Sequence, residues 1–206
     1  MDWITQIDLT ILHMIVQYIH TSWLDMGMVW FTKLGDSGAM WIVLGLYLLI
    51  NKKYRKTGFT MIIALCLGVL ICNIGLKPLI ARFRPFIVDP SLSLLITPPS
   101  GYSFPSGHTW SSFAIATIAL MHRLNGRYLV LGLAISMAFS RLYLTVHYPT
   151  DVLGGIILGL CIGYGSVKLV QYYGMTWCNS WIGLKQNIVS HKETNMKQEA
   201  VVQGKE

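Results

Sequence analysis

"GFTMIIALCLGVLICNIGLKPLIARFRP", residues 58–85, decides the fold class. From Gly58 to Leu76 it carries no charged residue, a length close to the roughly 20 apolar residues that cross a bilayer core of about 30 Å. A surface helix of a water-soluble protein is apolar on one face only, whereas a segment apolar all round belongs in a large interior or in lipid. The run then ends abruptly on Lys77, Arg82 and Arg84, and Pro85 removes the amide a helix would need to continue. The spacing predicts a membrane helix with a cationic end.

Further blocks of the same kind lie on both sides: "GAMWIVLGLYLLI" (38–50), "SSFAIATIALM" (111–121), "YLVLGLAISMAFS" (128–140) and "VLGGIILGLCIGYGSVKLV" (152–170). Hydrophobic residues make up 53% of the 206 and charged residues only 12%, which is not the balance of a soluble domain. The expectation is an all-α, polytopic membrane helix bundle over residues 1–182. Residues 183–206 are polar and lysine-bearing with little to bury, and are expected to form a disordered cytoplasmic tail. No internal repeat is evident.

Basic residues between the blocks give an orientation. "NKKYRK" (51–56) and "HRLNGR" (122–127) are short cationic connectors, and Lys and Arg accumulate on the cytoplasmic side. The chain then makes six crossings of a cell membrane, the first within 8–34, with both termini cytoplasmic. The first crossing has an alternative, because 3–20 carries Gln6, Asp8, His13, Gln17 and His20 and suits an amphipathic helix lying on the surface. The net charge of +7 follows from these connectors, the tail and one span end. No nucleic-acid-binding pattern surrounds it, so no nucleic-acid partner is expected, and no obligatory protein partner is inferred. Cys66, Cys72, Cys161 and Cys178 lack metal-ligand spacing, and the first three fall in apolar spans where a thiol acts as a small hydrophobe. Neither a disulfide nor a metal site follows. The early segment lacks the basic start and small-residue site of a cleavable signal.

This topology puts three polar patches on one, outer side. In "KPLIARFRP" (77–85) the seven-residue step from Lys77 to Arg84 is close to two helical turns, so in a continuous helix both cations face one way about 10 Å apart, a clamp for an anion. Arg82 points elsewhere and reads as an interfacial anchor. Pro85 stops the helix, and 86–104, with its prolines and Gly101, reads as an irregular outer loop of the length that lids and specificity elements have. "FPSGH" (104–108) has the form of a helix start, with Ser106 as a potential cap and amides able to receive a phosphate. "SRLYLTVHYPTD" (140–151) sets His147 and Asp151 one turn apart, where a carboxylate can hold an imidazole, although Pro149 interrupts the turn. Three cations, a helix N-terminus, two histidines and one carboxylate suit phosphoryl transfer. Each of these residues alone has a plainer reading as a polar anchor in the headgroup layer.

The three patches together resemble the signature of the type-2 phosphatidic acid phosphatase superfamily: Lys77, six residues, Arg84 and Pro85; then Pro105, Ser106, Gly107 and His108; then Ser140 and Arg141, five residues, His147, three residues and Asp151. The resemblance covers roughly residues 20–170 and is greatest toward six-span bacterial members acting on phosphatidylglycerophosphate or undecaprenyl pyrophosphate. It implies a metal-independent, cofactor-free lipid phosphatase in which His147 is the nucleophile that forms a phosphohistidine, Asp151 orients His147 and His108 is the general acid. Lys77, Arg84, Ser106, Gly107 and Arg141 would bind the phosphate. His13, His20, His122 and His191 match no motif position and are expected to be structural or exposed. Phosphatidic acid is a further candidate substrate. A phosphotransferase of the same superfamily and a small transporter are the alternatives, the latter disfavoured because the middles of the spans are almost free of charge.

Overall fold

The computed structural model describes residues 2–174, and all regular elements among them are helical. Cys178, His191 and the expected tail lie outside the described residues. In chain order the elements are α1 (Trp3–Ile19), α2 (Ser22–Leu34), a single turn at Asp36–Gly38, α3 (Ala39–Ile50), α4 (Arg55–Gly68), a π-helical segment (Val69–Leu76), α5 (Lys77–Ile80), α6 (Pro85–Val88), α7 (Gly107–Met121) and α8 (Arg127–Tyr143). α9 (Pro149–Gly174) follows.

The stretch 55–88 and α9 are each long and apolar enough to span a bilayer, and α2 with α3 passes the same test as a pair bent by 44°. Large apolar residues stay exposed along these helices, among them Val43, Phe59, Leu70, Ile74, Leu129 and Ile157. Such surface is stable only against lipid. Inside, Trp41, Met61, Ile115, Ile118 and Met137 are fully covered, and the Trp41 indole donates to Ser112 Oγ at 2.9 Å.

Burial of apolar surface drives little helix association in lipid, so close backbone contact through small residues must hold the bundle. α9 supplies it with Gly155, Gly159 and Gly163 on one face. A Cβ at Gly159 would stand 2.6 Å from the Trp110 carbonyl oxygen, and one at Gly163 would stand 2.6 Å from that of Ala114. At the other side Gly58 lets α4 press on α3, where a Cβ would meet the Gly45 oxygen at 2.5 Å.

The two basic connectors meet at one end of the bundle, where Thr57 Oγ1 and His122 Nδ1 lie 2.9 Å apart. The three motifs lie at the other end. Among the described residues, α1 and α2 pack at that motif end. Leu9 and Leu12 pack with Leu92 and Tyr148, Ile15 packs with Tyr143 and Val146, and His13 meets Asp89. In α2, Asp25 accepts from the Tyr143 hydroxyl at 2.5 Å, and Thr32 meets Arg141. α3, α4 with its continuation, α7, α8 and α9 run lengthwise between the two ends.

Two expectations about "KPLIARFRP" need correction. The helix does not continue from Lys77 to Arg84: Ala81 takes a left-handed conformation (φ 50°), and residues 81–84 are non-helical. Pro85 does not stop a helix that has already ended at Ile80. It opens α6 at the first position, where its missing amide costs nothing. The three cysteines described, Cys66, Cys72 and Cys161, are free thiols.

Candidate active site

At the motif end the broken chain after Ile80 brings Lys77 and Arg84 to one cavity of about 1160 Å³, which Gly107, His108, Arg141 and His147 also line. The two cations share it because the backbone turns at Ala81, not because they share a helix face. Arg84 is buried, and its guanidinium donates to the carbonyls of Gly101 at 2.9 Å, Val146 at 3.0 Å and Ser100 at 3.1 Å. The loop 86–104 thus grips one of the site's cations with its own backbone. Arg141 is 3% exposed, its Nη1 meets the Thr32 hydroxyl, and its Nε finds no partner. Among the described residues, neither Lys77, Arg84 nor Arg141 has a carboxylate within ion-pairing distance, the arginine–carboxylate pairs being those of Arg82. A buried guanidinium with a spare donor is costly unless an anion completes it.

α7 starts where "FPSGH" predicts. Ser106 stands at the cap position with extended backbone, but its hydroxyl does not fold back onto the helix amides. It accepts from Thr109 Oγ1 at 2.9 Å instead. Gly107 is where the cation and the helix start converge, since a Cβ there would lie 4.0 Å from Lys77 Nζ. His108 follows, with its Nε2 3.1 Å from Asp36 Oδ1. Asp36 was invisible in the motif pattern, because it sits in the turn before α3 and comes close only through the bundle.

His147 lies between α8 and α9 and is 3% exposed. Its Nδ1 faces Asp151 Oδ2 at 3.6 Å, ion-pair range but longer than a hydrogen bond, and Ser103 Oγ at 3.5 Å. Its Nε2 faces Arg84 Nη1 at 3.5 Å on the cavity side. Burial pushes the His147 imidazole down to about 4; Asp151 pulls the other way, while Arg141 and Arg84 add to the fall. The ring is therefore neutral at ordinary pH. Pro149 does not disrupt the pairing. It is the first residue of α9, which leaves Asp151 in the first turn, accepting from Tyr148 N at 2.9 Å in the manner of a capping box. Ser103 also donates to Asp151, and no spacing in the sequence marked it.

Arg82 departs most from expectation. Instead of anchoring in headgroups it donates to Asp151 Oδ1 at 2.7 Å and to Asp8 Oδ2 at 2.9 Å. Of the four unassigned histidines, His13 meets Asp89 at 2.8 Å, His20 meets the Tyr143 carbonyl at 2.9 Å, and His122 meets Thr57.

Residues 53–175, which hold all three motifs, match the family described as the PAP2 superfamily. The chain belongs to the PAP2 superfamily. It is similar to the undecaprenyl-diphosphatase of Sulfolobus acidocaldarius, with 33% identity over 158 residues, 75% of each chain. It is also similar to the undecaprenyl-diphosphatase BcrC of Bacillus subtilis, 31% identical over 149 residues, covering 70% of this chain and 74% of that one. Two crystal structures share the PAP2 fold seen here. LpxE of Aquifex aeolicus superposes with a TM-score of 0.69 at 32% identity, over 79% of this chain and 95% of its own. The transmembrane PAP2-type phosphatidylglycerolphosphate phosphatase of Bacillus subtilis superposes with a TM-score of 0.67 at 26% identity, over 85% and 88%.

Proposed function

We propose that this PAP2 protein is an integral-membrane lipid phosphatase that hydrolyses phosphatidylglycerophosphate, undecaprenyl pyrophosphate or both through a phosphohistidine, without a metal. The observation that carries the reading is the charge pattern of the cavity: three cations free of carboxylate partners among the described residues, one of them buried with a spare donor, around a neutral histidine.

In this reading Lys77, Arg84, Arg141, the Ser106 hydroxyl and the Gly107 amide hold the phosphate oxygens. His147 Nε2 attacks phosphorus while Asp151 stabilises the imidazolium that forms. The bond to the leaving oxygen breaks, and His108 supplies that oxygen with a proton. Water then attacks the phosphohistidine, giving its proton to His108, and the P–N bond breaks to release phosphate.

The lipid part of the assignment rests on the same cavity, whose wall continues from the catalytic groups onto Ile42 and Leu46 of α3 and Ile62, Leu65 and Leu70 of α4 and its π-helical continuation. An apolar channel between helices suits acyl or prenyl chains that remain in the bilayer. The basic connectors at the opposite end favour a cytoplasmic location for that end, which turns the active site outward. The packing of α1 and α2 at the motif end supports the surface-lying alternative for 3–20, and in this reading residues 3–34 lie on the outer side, in place of the cytoplasmic N-terminus expected from the crossing count.

Phosphate release by the purified protein in detergent tests the function, with phosphatidylglycerophosphate, undecaprenyl pyrophosphate, phosphatidic acid and a short-chain soluble analogue compared by kcat/KM. Full activity in excess EDTA, inhibition by vanadate and preference for the long-chain lipids are expected. Loss of activity in EDTA with recovery on adding a divalent cation overturns the metal-free site, and an equal rate on the soluble analogue overturns the membrane substrate.

A further inference from the structure

Arg82 is outside the residues given a part in the reaction, yet two carboxylates, a hydroxyl and a ring engage its guanidinium. Nη1 donates to Asp151 Oδ1 and to Thr150 Oγ1, both at 2.7 Å, and Nη2 donates to Asp8 Oδ2 at 2.9 Å. Its plane rests on the Tyr148 ring, 3.9 Å from the centroid. Asp8 comes from α1, far away in sequence, and is 1% exposed. Besides Arg82 it accepts from Thr150 N at 3.1 Å and from the Thr150 hydroxyl, closing the first turn of α9 from outside.

We propose that Arg82 and Asp8 form a clamp that positions Asp151 for His147, so that the N-terminal helix is part of the active site. Asp151 is fully buried, and a buried carboxylate keeps its charge only when paired and hydrogen-bonded. His147 is neutral before the reaction and does not supply that pair. Arg82 does, and by binding Oδ1 it turns Oδ2 toward the His147 ring, where Ser103 and the Tyr148 amide fix it. A planar fork holds two carboxylates and a hydroxyl in a fixed geometry, which the compact, freely rotating ammonium of a lysine does not. The clamp also keeps the charges apart. Asp8 and Asp151 are both satisfied by Arg82, which leaves Lys77, Arg84 and Arg141 for the phosphate. Arg82 itself does not line the cavity among the described residues.

This inference rests on the His147–Asp151 assignment, and the test separates the two. Arg82→Lys, Asp8→Asn, the double variant and Asp151→Asn are compared as full-length proteins in one detergent. A short-chain phosphatidic acid serves as substrate and inorganic phosphate as competitive ligand. Arg82→Lys and Asp8→Asn are expected to lower kcat by about 10–100-fold, the size usual for partners that orient a reacting side chain. KM and the phosphate inhibition constant should stay unchanged, and the double variant should lose little more than either single one, as groups acting as a unit do. A rise in KM and in the phosphate constant at unchanged kcat would make Arg82 a phosphate ligand and sink the clamp. Lowered thermal stability with unchanged kcat would reduce it to a structural brace and sink it equally. If Asp151→Asn alone is inactive, such results count against the clamp only; an active Asp151→Asn removes the assignment beneath it.

Discussion

On the proposed mechanism His147 must be neutral to attack, and its surroundings favour that before any substrate arrives. Burial, with Arg141 and Arg84 nearby, pushes the imidazole down from 6.5 to about 4 against the pull of Asp151. A group whose folded value is depressed is deprotonated at every pH above that value, so the nucleophile is lost only as pH falls through about 4. The rate of phosphoenzyme formation, corrected for ionisation of the substrate, should hold its plateau down to about pH 5 and decline below it. Rapid-quench measurement across pH 3.5 to 8 would check this, and a decline centred near the ordinary histidine value would show that the ring is more solvated than the structure has it. His147 and Asp151 were readable from their four-residue interval. Ser103, Asp36, Asp8 and the true partners of Arg82 were not, because each reaches the site from a different element and no interval along the chain records that.

The pairing of α9 with α7 matters most among the elements, because α7 carries Ser106, Gly107 and His108 while α9 carries Asp151. Their backbones touch along Gly155, Gly159 and Gly163, the small-residue contact that works in lipid where burial of larger side chains gives little. A methyl group at Gly159 would lie 2.6 Å from the Trp110 oxygen and 2.8 Å from Phe113 Cβ, so the helices must part. Gly159→Ala is expected to destabilise the protein by about 1–3 kcal/mol and to reduce turnover with it. Gly165, on the same helix with nothing within 4 Å of a new Cβ, should tolerate alanine with no loss, since alanine is the better helix former. Melting temperatures in one detergent decide it, and equal effects at the two positions would contradict the close contact. Glycines at i, i+4 and i+8 were visible in the sequence, but which helix they faced was not.

At the level of the whole molecule the basic connectors and the motifs occupy opposite ends, and α1 and α2 lie at the motif end. With the cationic end in the cytoplasm, cysteines introduced at the exposed positions Ser93 and Gln6 should both react with an impermeant maleimide in intact cells. One at exposed Asn125 should react only after permeabilisation, in a background with the native cysteines replaced. Protection of Gln6 with labelling of Ser93 would restore a first crossing within 8–34. Labelling of Asn125 alone would turn the active site to the cytoplasm and redirect the search for substrate.

The sequence by itself determined the class of solvent and the family. Uncharged blocks as long as a bilayer is thick can be stable only in lipid, and the three motifs name the candidate reacting groups because those groups are set by local spacing at helix starts and ends. Only the tertiary structure decided how the phosphate cations come together and what supports them. Lys77 and Arg84 meet through a left-handed turn at Ala81, and Arg82 turns inward because two buried carboxylates, Asp8 in α1 and Asp151 in α9, need its charge. A helix count from hydropathy assigns α1 to the bilayer or its surface with equal ease. The structure adds that its buried face packs on Leu92, Tyr143 and Tyr148, and contacts between distant segments carry no signature in either segment alone.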